Sequence, residues 1–283
     1  VKAINTRPFV TVFPDGVLDA GETSALGKRH WEDGRVPSPG FGTDAEQRDD
    51  VAFIDHVIET LVADSELDID ASAIYVTGAS NGGMMTLRLV CHFGDPRHPS
   101  LSRVAAFLAS IGEMPEGLLE GQHGREACPS QLKGEVGFRI VLGTGIDTPD
   151  CTTYPCNSPV VTGDGLMPFG QAGGRYNVYS PDQGRVISGP DTIAFWQSAF
   201  VAGMGNAGTT GDEKVGFFTQ RSILSFAPSV AVLDTWVTDG GGHMLNATRM
   251  DFMPVGSSWA FLSSFRRENA GLTRVEPDWV TGY

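Results

Sequence analysis

The chain has 283 residues and carries 34 acidic against 20 basic side chains, a formal net charge of −14, which argues against a nucleic-acid partner because phosphate contacts need clustered Lys and Arg. At 41% hydrophobic the composition is that of a globular protein, and a chain of about 300 residues buries about 75% of the surface its unfolded form exposes, enough for one large core. No apolar run reaches the roughly 18 to 20 residues of a spanning helix, and the opening Val1-Lys2-Ala3-Ile4-Asn5-Thr6-Arg7 has no signal-peptide core, so the expectation is a soluble chain without a membrane partner.

Along the chain, Phe9-Val10-Thr11-Val12-Phe13 is β-branched and aromatic and stops at Pro14-Asp15-Gly16, which predicts a buried strand. From Asp49 to Val62 the apolar positions Val51, Ile54, Val57, Ile58, Leu61 and Val62 recur at steps of three and four, an amphipathic helix with Asp49 and Asp50 at its positive end. A short β-type run, Ala73 to Thr77, leads through Gly78-Ala79-Ser80-Asn81-Gly82-Gly83 into a helix-like stretch from Met84 to Val90. Further strands are expected at Arg103 to Leu108, Phe138 to Leu142 and Val230 to Val237, and helices near Asp191 to Val201 and Ser257 to Arg267. The βαβα order predicts one α/β domain with a largely parallel sheet.

The chemistry starts at Gly78-x-Ser80-x-Gly82. Bare, that pattern is weak; placed between a strand that ends abruptly and a helix, it matches a nucleophile elbow, where glycines let strand and helix approach. The Asn81 amide would then point at the developing oxyanion. A serine hydroxyl needs a base. His243 follows Gly240-Gly241-Gly242 just past the Val230 to Val237 run, where a loop can hold an imidazole over the elbow. His30, His56, His92, His98 and His123 read as surface or capping residues, Trp196, Met84 and Met85 as packing. Cys151 and Cys156 bracket a loop that can close as a local disulfide, with Cys91 and Cys128 as the remaining pair. No Cys-x-x-Cys or metal-ligand spacing and no phosphate cradle is present, so neither metal nor cofactor is expected. Disulfides favour an oxidising compartment, secreted or periplasmic.

The order Ser80, acid, His243 and its surroundings resemble the α/β-hydrolase serine esterases that include polyhydroxybutyrate depolymerases and feruloyl esterases. The resemblance rests on Phe13-Pro14-Asp15-Gly16, Asp50-Val51-Ala52-Phe53-Ile54, Tyr75 to Met85, Met114-Pro115-Glu116, Asp191 to Trp196 and Gly240-Gly241-Gly242-His243. It implies an ester substrate, polymeric in some members, cleaved through an acyl-enzyme on Ser80. The family's acid motif is split here by an insertion at about residues 146–163. Asp147 lies close behind the preceding strand, whereas Asp164, in Gly163-Asp164-Gly165-Leu166-Met167-Pro168-Phe169, has the better downstream match and is preferred. Met244 replaces a familiar Thr after the histidine and, with Trp31, is a candidate for the substrate groove. Family members also carry earlier strands and a His-Gly loop that supplies a second oxyanion amide. The expectation is that those strands are missing before Phe9, which would leave one donor unaccounted for and a sheet edge that invites homo-oligomer formation. A hydrolase-like binding protein without activity, and an acyltransferase using the same serine, are the competing readings.

Overall fold

A computed structural model describes residues 9–18, 29–36, 49–121, 126–144, 169–170, 172–177, 184–239, 254–268 and 271–275. Two short strands, β1 (Val17–Leu18) and β2 (Arg29–His30), pair antiparallel near the start. Helix α1 (Asp50–Ala63) is capped by Asp49, whose carboxylate accepts the Ala52 N–H at 2.9 Å. Strand β3 (Ile74–Ala79) turns directly into α2 (Asn81–Cys91). There follow β4 (Val104–Ser110), α3 (Glu116–Glu120), β5 (Gly137–Gly143), and the pair β6 (Arg175–Asn177) and β7 (Arg185–Ile187). Helix α4 (Gly189–Met204), with Ser188 as its cap, leads to β8 (Thr209–Lys214), β9 (Thr219–Ser225) and β10 (Val232–Thr238). Helix α5 (Pro254–Ser263) and the hairpin β11 (Phe265–Glu268) and β12 (Gly271–Arg274) complete the described chain.

The architecture is α/β. A six-stranded sheet has the order β3-β4-β5-β10-β9-β8, parallel from β3 through β10, with β9 and β8 added antiparallel. Alternation along the strands sends side chains to two cores, as a sheet covered on both faces requires. Phe107, Phe138 and Leu233 pack with Leu87 of α2, Val51 of α1 and Trp196 of α4 on one side. Leu108 and Val232 pack with Phe261 of α5 and Phe265 of β11 on the other. Met84, Met85 and Trp196 are buried in this interior, as their helical spacing predicts.

Two expectations need correction. Phe9 to Phe13 form no strand: no described strand pairs with them, and Phe13 is 87% exposed. Their β-branched composition expresses propensity, which without a partner strand gives no ladder. The helix expected to run to Arg267 ends at Ser263, and Phe265 to Glu268 join a hairpin instead. The expected largely parallel sheet is present from β3 through β10, and the polar, exposed run Thr209 to Lys214 adds an antiparallel far edge. Cys91 and Cys128 are bonded, tying the last residue of α2 to the segment behind α3. Cys151 and Cys156 lie outside the described residues.

Candidate active site

The carboxyl ends of β3, β4, β5 and β10 stand side by side, and the residues leaving them build the site. Ser80 occupies the turn between β3 and α2 with φ 57° and ψ −121°, a region favouring glycine. Its N–H donates to the Ser110 carbonyl at 3.0 Å, and its own carbonyl accepts the Met84 N–H at 2.9 Å. A serine at this position of a helix ordinarily caps it. Ser80, at a positive φ instead of the extended backbone of a capping residue, makes no capping bond with its side chain.

Close approach explains the glycines, though not the pair the motif suggests. A Cβ on Gly78 would lie 2.1 Å from the Gly82 carbonyl oxygen, and one on Gly83 would lie 2.4 Å from the Ser110 carbonyl oxygen. Gly82 itself faces open space. Gly112, just past β4, closes the contact from the other side: its Cβ would meet the Met84 nitrogen at 2.7 Å and the Ser80 oxygen at 2.9 Å.

Asn81 begins α2, so its N–H has no carbonyl one turn back within the helix. The Asn81 side chain holds the neighbouring loop: Oδ1 accepts the Trp31 N–H at 2.8 Å, and Nδ2 donates to the Trp31 carbonyl at 3.2 Å and to Asp33 Oδ2 at 2.5 Å. The Trp31 ring stacks on Phe53 of α1, centroids 6.3 Å apart. Beneath it lies a buried polar cluster that motif reading passes over. Asp33 pairs with Arg35 at 2.9 Å, Arg88 of α2 grips the Glu32 carboxylate and carbonyl, and Asp50 of α1 accepts the Glu32 N–H at 2.7 Å. Each charge in it has an opposite charge or a donor, which is what makes such burial tolerable.

The next strand end carries a different kind of acid. Glu113 is fully buried, its Oε2 has no hydrogen-bond partner among the described residues, and burial pushes its carboxyl up to about 8. Only its own backbone N–H opposes that shift. No sequence signal marks this residue, since its neighbourhood comes entirely from tertiary packing.

Beyond β5 and β10, the Thr144 hydroxyl donates to Asp239 at 2.9 Å and the Thr144 N–H donates to the Thr238 carbonyl, also at 2.9 Å. The segments leaving these two ends contain Asp147, Asp164, His243 and Met244, which lie outside the described residues. Of the sequence-predicted residues the structure therefore brings together Ser80, Asn81 and Trp31. His98 is buried rather than at the surface, and it packs edge to face at 5.3 Å on His92, which caps the C-terminus of α2. Burial first, then the Arg88 charge, lowers His92 to about 4.

No protein-family model matches the chain, and no curated protein matches it.

Proposed function

We propose that the chain is an α/β-hydrolase that cleaves carboxylic esters through a covalent acyl-serine. The observation that carries the reading is Ser80 held at positive φ between a parallel strand and a helix, its hydroxyl kept from capping. In the proposed reaction the Ser80 Oγ attacks the ester carbonyl carbon as His243 takes its proton, and the Asn81 N–H stabilises the oxyanion. Collapse of the tetrahedral species breaks the bond to the alcohol, which leaves with the proton from His243. Water, deprotonated by His243, then attacks the acyl carbon and releases acid and free serine. Asp164, or Asp147 in its place, holds the histidine tautomer and stabilises its charged form. Resemblance to the polyhydroxybutyrate depolymerases and feruloyl esterases suggests hydroxyalkanoate or feruloyl-type esters as substrates. The Cys91–Cys128 disulfide supports an oxidising compartment.

A fluorophosphonate reagent tests the reading without knowledge of the substrate, because it needs only an activated serine and an oxyanion site. Peptide mapping should find the label on Ser80 and no label on the Ser80→Ala variant. A folded wild-type chain that stays unlabelled would mean that no working nucleophile exists, and a binding role would replace the esterase reading.

A further inference from the structure

We propose that Glu113 is a positioning residue of the reaction site, a buried carboxylic acid at the end of the backbone stretch from Ile111 to Glu113 that lies against the turn carrying Ser80. The proposal rests on Ser80 being the nucleophile, and three consecutive residues carry it. Ile111 sits at φ 46°, a conformation unfavourable for a β-branched residue, while its N–H extends the ladder to the Val141 carbonyl at 2.7 Å. Strain of this kind persists only where the surroundings enforce it. Gly112 lies against the nucleophile turn itself, within reach of the Ser80 carbonyl and the Met84 nitrogen. Glu113 comes next, fully buried with one carboxyl oxygen lacking a hydrogen-bond partner among the described residues. The following residue is fixed as well: the Met114 N–H donates to the Thr192 hydroxyl at 2.9 Å, and its carbonyl accepts the Ile187 N–H at 3.0 Å.

Charges on the surrounding elements are committed elsewhere. Arg88 of α2 holds Glu32, Arg139 of β5 holds Asp234, Glu116 of α3 meets Arg185 of β7, and Asp191 of α4 accepts the Gly173 N–H. Strand β3 carries no charged side chain. Without a counter-charge among the described residues, the buried carboxyl rests in its protonated form. That form suits the chemistry. Attack by Ser80 builds negative charge beside this backbone, and an ionised Glu113 would oppose it in a medium that screens poorly.

The test is the fluorophosphonate labelling rate of Ser80 across pH in wild type and Glu113→Gln, joined to an NMR titration of the glutamate carboxyl carbons. Glutamine preserves shape and neutrality, so Glu113→Gln should label within about threefold of wild type at neutral pH. At about pH 9 it should keep that rate while wild type falls about tenfold, in step with a carboxyl titrating near the value to which burial raises it. A Glu113→Gln variant as inert as Ser80→Ala, or one that loses activity over the same alkaline range as wild type, overturns the proposal. Should that variant fail to fold, the wild type decides alone: coincident midpoints for labelling loss and carboxyl titration support the role, and separated midpoints overturn it. An unlabelled wild type overturns the nucleophile reading and this role with it, whereas a labelled Ser80 with every glutamate titrating in the ordinary range overturns this role only.

Discussion

Two side chains near the β3–α2 turn are held in states that folding alone would not choose. Ser80 accepts an unfavourable backbone, and Glu113 accepts burial with one carboxyl oxygen lacking a hydrogen-bond partner among the described residues. The second has a thermodynamic signature. Its folded pKa, about 8, lies above the ordinary 4.5, so across that interval the folded chain keeps a proton that the unfolded chain has released. The associated stability is full below the ordinary value and is lost as pH rises towards 8, at up to about 1.4 kcal/mol per pH unit. Glu113→Gln should remove that slope, which urea unfolding at several pH values would measure; parallel curves for the two proteins would mean the acid is not buried free. His92 works in the opposite sense: held down to about 4, it costs stability as pH falls from its ordinary value through its folded one. At this scale the sequence was a good guide to the strand–turn–helix that places Ser80 and Asn81, a local feature, and a poor one to Glu113 and the Asp33–Arg35 pair. Their significance depends on neighbours distant in the chain.

At the scale of elements, the elbow depends on clearances rather than on attractive contacts. Gly83→Ala should push α2 off the end of β4, because the new methyl would overlap the Ser110 carbonyl, and both thermal stability and Ser80 labelling should fall. Gly82→Ala meets open space and lies in a helix, where alanine gains up to about 1 kcal/mol over glycine, so its melting temperature should hold or rise. A motif reading ranks these two glycines the other way round. The Cys91–Cys128 bridge spans 37 residues, and chain-entropy reasoning assigns such a loop about 4 kcal/mol. Reduction should lower the melting temperature, with a Cys91→Ala, Cys128→Ala double variant reproducing the loss. Periodicity located α1, α2 and the parallel strands because each buries one regular face. It missed the β8–β9 hairpin, where Thr209 to Lys214 is polar and exposed on an edge, and it overran α5 because Phe265 continues the apolar spacing of Phe261 into the same core while belonging to β11.

For the whole molecule, the sheet is cross-tied by Asp234 of β10. It binds Arg139 of β5 at 2.6 Å and Arg221 of β9 at 2.9 Å, and accepts the Trp236 indole N–H at 2.8 Å. Asp234→Ala should cost about 3 to 5 kcal/mol, because it leaves the deeply buried Arg139 without its carboxylate while Arg221 keeps Glu213 at 3.3 Å; chemical denaturation would read this directly. Stability of the entire chain is also what a heat-based selection scores, and here the position of Ser80 has a consequence of its own. Glycine would occupy that backbone freely, whereas serine forgoes about 1 to 3 kcal/mol there. A library enriched only for survival at high temperature should therefore drift towards Ser80→Gly, gaining robustness while discarding the proposed nucleophile. Keeping the serine requires selecting for turnover in the same round.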